Sequence, residues 1–239
     1  MQTNLYQITP DDQPALAEIG ALLRAGGLIG IPTETVYGLA ANALDGQAVA
    51  KIFQAKGRPQ DNPLIVHIAA FSQLYPLVGE VPTQAIRLAR AYWPGPLTMI
   101  LPKSPAIPEE VSAGLDTVAV RMPSHPLARA IIQAAGVPLA APSANLSGSP
   151  SPTTAQHVLA DMAGRIQAVV DGGPCSVGVE STVVTLASPC PRLLRPGGIT
   201  PEQLRAVLGK VEIDRAVEEQ LAVGEKAASP GMKYKHYAP

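Results

Sequence analysis

Residues 28–43 read LIGIPTETVYGLAANA. Their apolar opening, 28–31, has the length of a short buried strand, and Pro32 ends it before a polar turn through Thr33, Glu34 and Thr35. Upstream, Thr9-Pro10 followed by Asp12 marks a helix start, and Leu16, Ile19, Leu22 and Leu23 then fall at helical spacing until Gly26-Gly27 stops the pattern. Downstream, Val49, Ile52 and Phe53 share the inner face of a helix predicted over 45–56. The alternation continues outward from this unit. Further strands are predicted at 64–68, 97–101, 117–122, 137–141, 168–171, 181–186 and 192–194, and further helices at 83–92, 126–135, 154–162 and 201–208. Interleaved strands and helices specify an α/β domain, and neighbouring strands with no helix between them make its sheet mixed. No internal repeat is visible. From Lys210 onward the apolar pattern fades, so the expectation is one domain over 1–209 followed by an extended tail over 210–239.

With 239 residues the chain has enough length for a substantial core. Its 18 basic and 19 acidic residues leave a net charge of -1, which makes it a poor general binder of polyanions, so any basic site has to be local. Aromatic residues are only 4% of the chain, which argues against a single-strand nucleic-acid surface built from stacking platforms. Two cysteines, Cys175 and Cys190, stand in unrelated contexts and suggest neither a disulfide framework nor a metal site. The amino-terminal stretch lacks a basic region followed by an apolar run, and no apolar run is long enough to span a bilayer. A soluble protein of the reducing cytosol is expected.

Phosphate-loop, dinucleotide, nucleophile-elbow and zinc-protease motifs are all absent. Instead, polar residues gather where predicted strands end, the usual ligand edge of an open α/β sheet. Thr33 and Thr35 offer hydroxyls after the first strand; the same turn also reads as a plain polar loop. Residues 56–68, KGRPQDNPLIVHI, put Lys56 and Arg58 one glycine apart, a point charge and a planar fork suited to phosphate oxygens. Equally, Lys56 can simply favour a helix C-terminus and Arg58 water, and His67 inside an apolar strand reads first as a core histidine. Along 115–126, LDTVAVRMPSHP, alternation sets Thr117, Ala119 and Arg121 on one strand face, so Arg121 needs a bound anion or an internal carboxylate. A loop over 137–154, VPLAAPSANLSGSPSPTT, supplies uncharged donors such as Ser143, Asn145 and Ser151, and also fits an ordinary surface loop. Ser181, in DGGPCSVGVESTVV at 171–184, opens another strand, and Arg195 closes a further one before Pro196-Gly197-Gly198. Cations and neutral donors at separate strand ends point to a polyanionic small molecule, a nucleotide foremost, handled by positioning and charge stabilisation.

Taken together these motifs resemble the YrdC-like threonylcarbamoyl-AMP synthase family. The likeness rests on GIPTETVYGLAANA, KGRPQDNPLIVHI, WPGPLT, PSANLSGSPSPT, and GVESTVV followed by LLRPGGI, in that order, and covers about residues 5–208. It implies a twisted open mixed sheet flanked by helices with a concave basic cavity. The activity it implies is a nucleotidyl transfer: L-threonine, bicarbonate and ATP give threonylcarbamoyl-AMP and pyrophosphate, for modification of tRNA by machinery downstream, in the cytoplasm. Magnesium arrives with ATP in this scheme, and no resident metal site is implied. Carried over by position, Lys56, Arg58, Ser143 and Asn145 are the catalytic set. Arg58, Asn62, Thr117, Ser143, Ser151, Arg195, Tyr234 and His236 are the ATP contacts, and Thr35, His67, Arg121, Ala141 and Ser181 form the threonine pocket. The segment SPGMKYKHYAP at 229–239 is similar to the linker that crosses the active site in the family's longer form, whose extra C-terminal domain is not expected within these residues. Two other readings stay open: an RNA-binding module of the same fold, though neither stable nucleic-acid binding nor a membrane is expected, and a relative that carbamoylates another acceptor.

Overall fold

The computed structural model describes residues 2–218. Between them run β1 (Asn4–Gln7), α1 (Gln13–Arg24), β2 (Ile29–Ile31), β3 (Gly38–Asn42), α2 (Gly46–Lys56), β4 (Ile65–His67), α3 (Thr83–Tyr92), β5 (Leu97–Pro102) and α4 (Glu109–Ser112). The second half adds β6 (Thr117–Arg121), α5 (Pro126–Ala135), β7 (Leu139–Ala140), α6 (Ala155–Met162), β8 (Ala168–Asp171), β9 (Thr182–Thr185), β10 (Arg192–Arg195), α7 (Pro201–Leu208), β11 (Glu212–Ile213) and α8 (Arg215–Glu218). All described strands join one mixed sheet in the order β1-β8-β2-β3-β7-β4-β6-β5-β9-β10-β11.

Local chemistry explains the element ends. The Asp45 carboxylate accepts the amides of Gln47 and Ala48 to open α2, and Gly57, at φ 65°, closes it in the left-handed conformation that a side chain would resist. Thr200 and Gln203 form a reciprocal capping box at the start of α7. Strand residues alternate between two apolar layers. Val169 joins the larger cluster with α2 and α6, whereas Ala168 and Val170 join the layer formed with α1 and α5. Gly20 lies where α1 crosses the end of α5, so close that a Cβ there would come within 2.4 Å of the Ala134 carbonyl.

In the central strands the same alternation builds the site. Val66, Val118 and Val120 face the large core, while Ile65 and Ala119 turn to the opposite face, where they cluster with Ile100, Val183 and Leu194. The parallel register of β4 and β6 then pairs His67 with Arg121. Antiparallel β5 brings Thr98 opposite Arg121, and β9 follows in parallel with β5.

The structure departs from expectation at several places. Strands β1 and β3, a 3-10 helix at Phe71–Leu77 and the single turn α4 were not foreseen. The region after Lys210 is not simply extended: β11 pairs in parallel with β10, and α8 follows it. Among the described residues no helix is long and apolar enough to cross a membrane.

Because the α1–α5 crossing has no room for a methyl group, Gly20→Ala is expected to lower stability by about 1–3 kcal/mol. Urea unfolding, read as a shift in midpoint at constant slope, checks this.

Candidate active site

Loops from six strands meet around a hollow of about 620 Å3 that opens to solvent. Its charged lining consists of the guanidinium groups of Arg58, Arg121 and Arg195 and the carboxylate of Glu180. Thr33, Thr35, Ser143 and Ser181 add hydroxyls, His67 an imidazole, and Val36, Ile65 and Ala141 an apolar wall.

Arg121, the last residue of β6, is 3% exposed. Its Nη2 lies 2.7 Å from Glu34 Oε1, its Nη1 donates to Thr35 Oγ1 at 2.8 Å, and its Nε donates to the Gly95 carbonyl at 3.3 Å. The Thr33 hydroxyl donates to the Val36 carbonyl at 2.6 Å, so the Thr35 hydroxyl, 2.9 Å away, donates to Thr33 while accepting from Arg121. Thr33 Oγ1 also accepts the amides of Thr35 and Val36, which folds the turn back on itself. Burial alone would raise the Glu34 pKa; the charge and hydrogen bonding of Arg121 overcome that and hold it below the usual carboxylate value.

Arg195, closing β10, donates from Nε and Nη2 to the Ser181 carbonyl at 3.1 and 2.9 Å, and from Nη2 to Ser181 Oγ at 3.1 Å. Gly197 lets the chain after β10 lie against residues 180–182, since a Cβ there would fall 2.4 Å from the Glu180 carbonyl and the Thr182 amide. Glu180 itself accepts the Ser151 hydroxyl at 2.6 Å. Arg58 reaches the Asn62 carbonyl at 3.5 Å, and its Cζ lies 5.3 Å from the centre of the Phe53 ring.

Lys56 is buried beneath the 143–149 loop rather than in the lining. Its ammonium donates to the carbonyls of Ser143 at 2.5 Å and Asn145 at 2.7 Å, and its own carbonyl accepts the Ser147 amide at 3.0 Å. Asn145 turns inward as well, donating to the carbonyls of Leu146 and Ser149. Burial, helped by the charge of Arg58, pulls the Lys56 pKa down to about 7. His67 sets Nδ1 3.2 Å from the Ile65 carbonyl, and burial with the Arg121 charge pushes its pKa down to about 3, so the imidazole is neutral.

Of the residues singled out in the sequence, Thr35, Arg58, His67, Arg121, Ala141, Ser143, Ser181 and Arg195 share the hollow. Lys56, Asn145 and Ser151 stand outside the lining; Lys56 and Ser151 are bonded to the lining residues Ser143 and Glu180, and Asn145 to carbonyls of its own loop. Asn62 is completely buried, and neither atom of its carboxamide has a hydrogen-bond partner among the described residues. Thr117 starts the strand that Arg121 ends and takes no part in the lining. Tyr234 and His236 lie outside the described residues. Sequence reasoning missed Glu34 and Glu180. The sequence does demand a partner for an inward arginine, but Asp116 stood nearer to Arg121 in the chain, and only the fold brings Glu34 to it.

Over residues 21–197 the chain matches the Sua5/YciO/YrdC family model, described as telomere recombination. Over residues 199–239 it matches the model of the threonylcarbamoyl-AMP synthase C-terminal domain. It is 57% identical over 229 residues to the threonylcarbamoyl-AMP synthase of Bacillus subtilis (strain 168), covering 95% of this chain and 65% of that protein. With the putative threonylcarbamoyl-AMP synthase of Mycobacterium tuberculosis (strain H37Rv) it shares 37% identity over 194 residues, covering 81% of this chain and 88% of the other. The chain thus spans a little under two thirds of the Bacillus relative and most of the mycobacterial one. Among solved structures, Pyrococcus abyssi Sua5 complexed with L-threonine superimposes with a TM-score of 0.93 at 49% identity, covering 100% of this chain and 69% of that chain.

Neutral His67 gives stability a defined pH dependence. The unfolded chain takes up the proton below about 6.5, while the folded chain refuses it down to about 3, so stability falls as pH drops through that window. Between pH 6.5 and 4.5, above the carboxylate range, His67→Gln is expected to flatten the slope by up to about 1.4 kcal/mol per pH unit. Urea titrations at several pH values measure it, and an unchanged slope would mean that His67 is charged in the fold.

Proposed function

The chain belongs to the Sua5/YciO/YrdC family, and from that premise we propose that it is a nucleotidyltransferase forming threonylcarbamoyl-AMP and pyrophosphate from L-threonine, bicarbonate and ATP. The observation that carries the proposal is the meeting of Arg58, Arg121 and Arg195 with uncharged donors in one hollow. In the reaction, the threonine nitrogen bonds to the carbon of bicarbonate or CO2 to give a carbamate. A carbamate oxygen then attacks the α-phosphorus of ATP in line with departing pyrophosphate. Carboxylate, carbamate and triphosphate are all anionic, so guanidinium groups held in place before the ligands arrive lower the barrier without reorganising.

In this reading Arg58, with Ser143, holds the transferring phosphates. Arg121, with Thr35, His67, Ala141 and Ser181, receives the amino acid, its fork suited to a carboxylate. Arg195, Asn62, Thr117 and Ser151, with Tyr234 and His236 of the 210–239 segment, complete the ATP contacts. The orphan carboxamide of buried Asn62 supports its part, since a ligand would supply the missing partners. Lys56 and Asn145 act from beneath, by fixing the carbonyls and course of the Ser143 loop.

Magnesium fits as a companion of ATP. Among the described residues no group of three or more His, Cys, Asp or Glu could cage a metal, and Glu180 is the one carboxylate in the lining, which suits an ion held mainly by phosphates and water. When bound it would neutralise charge on the triphosphate. Release of the product to tRNA-modifying machinery and a cytoplasmic location complete the proposal.

Pyrophosphate release from ATP with bicarbonate and each of several amino acids tests it. Threonine dependence is expected, with a loss of about a hundredfold or more in Arg58→Ala and in Lys56→Ala. ATP turnover indifferent to the amino acid, or undiminished in Arg58→Ala, would overturn the assignment.

A further inference from the structure

Three nitrogens of Arg121 are committed before any ligand arrives: Nε to the Gly95 carbonyl, Nη1 to the Thr35 hydroxyl and Nη2 to the Glu34 carboxylate. A guanidinium has five N–H donors in one plane, so three fixed contacts set that plane; Nη2 is closed off from solvent, which leaves Nη1 as the terminal nitrogen with a further N–H to turn toward the cavity. Glu34 is different from the other two partners. Its carboxylate is 2.7 Å from Nη2, both side chains are almost fully buried, and Glu34 takes no part in the cavity lining although Thr33, Thr35 and Arg121 all do. Its carboxylate therefore stands outside the lining, and its shortest charged contact is with Arg121.

We propose that Glu34 is a positioning residue, which locks the Arg121 guanidinium in the orientation that receives the amino acid's carboxylate. The part concerning the amino acid rests on the proposed function; the locking of Arg121 does not. A carboxylate is needed in this place for two reasons. It keeps a buried cation from standing uncompensated when the site is empty, and it forms a charged contact that holds Nη2 more firmly than a neutral acceptor would. The backbone of Glu34 has a separate task, its carbonyl accepting the Val177 amide at 2.7 Å to tether the loop before Glu180. That bond survives any side-chain substitution, so Glu34→Gln alters the carboxylate and leaves the tether.

The sign of the effect separates positioning from simple electrostatics. Removing the negative charge of Glu34 would by itself strengthen the attraction of Arg121 for an anion, and so lower the KM for the amino acid. Loss of a fixed fork does the reverse, since a small displacement of a positioning group can cost a large factor in rate or binding. A loss of folded protein would lower the apparent kcat and leave KM alone.

The experiment has two arms on the full chain. In the first, the Arg121 guanidinium is followed by nitrogen NMR in the absence of ligands, with Arg121→Lys identifying its signals. Separate, slowly exchanging Nη signals are expected in the unsubstituted protein, averaged ones in Glu34→Gln, and partial recovery in Glu34→Asp. In the second, Glu34→Gln is expected to raise the threonine KM about tenfold or more while kcat and the ATP KM change less than about threefold, with Glu34→Asp in between. Unaltered Nη signals in Glu34→Gln, or a threonine KM that falls or stays the same, would overturn the proposal. Should the unsubstituted protein show no threonine-dependent turnover, the functional reading fails, and the first arm still decides whether Glu34 locks Arg121.

Discussion

A guanidinium withdrawn from water has to be met by fixed charge and fixed acceptors, and Arg121 at the end of a central strand imposes that demand on the structure. Meeting it requires segments far apart in the chain: the turn at 33–36 for Glu34 and Thr35, and the approach to β5 for Gly95. The sheet order explains how they come together. Parallel pairing of β4 with β6 sets His67 beside Arg121, while β5 turns back antiparallel and carries β9 with it, so that Ser181 and Arg195 arrive on the same side. Ile65, Ala119 and Val183 form one apolar cluster, of which Ile65 reaches the lining of the hollow.

Lys56 presents the same demand in another form. It has carbonyl acceptors in place of a counter-ion, and the outcome is a loop tied from below at Ser143, Asn145 and Ser147. With its pKa drawn down to about 7, the charge beneath that loop is sensitive to conditions near neutrality. Two buried cations thus organise the two sides of the hollow. The turn at 33–36 is held through Arg121 and the loop at 143–149 through Lys56, so the neutral donors of both are in position before a ligand enters.

Much of this was legible because it depends on local rules. Helices α3, α5 and α7 begin and end where periodicity, proline and glycine put them, and strand alternation correctly set Arg121 on the face opposite Val118 and Val120. Elements that depend on distant partners were not legible. Strand β1 is a polar, largely exposed edge strand whose partner β8 lies more than a hundred residues away, and β3 is built from Gly38, Leu39, Ala40, Ala41 and Asn42, small residues that become a strand between β2 and β7. In the site, residue types pointed to one shared hollow lined by arginines and neutral donors, but not to the direction of each side chain. Lys56 turns under the 143–149 loop because the carbonyl acceptors there belong to a distant segment, Asn145 turns in toward carbonyls of its own loop, and Thr117 stays at the far end of β6 from Arg121.

The most direct test is a crystal structure of the chain with L-threonine and a non-hydrolysable ATP analogue. The account predicts the phosphates within hydrogen-bonding distance of Arg58 and Arg195, and the amino acid's carboxylate on Arg121, all inside the one hollow. A nucleotide bound elsewhere on the molecule, or threonine seated away from Arg121, would contradict it.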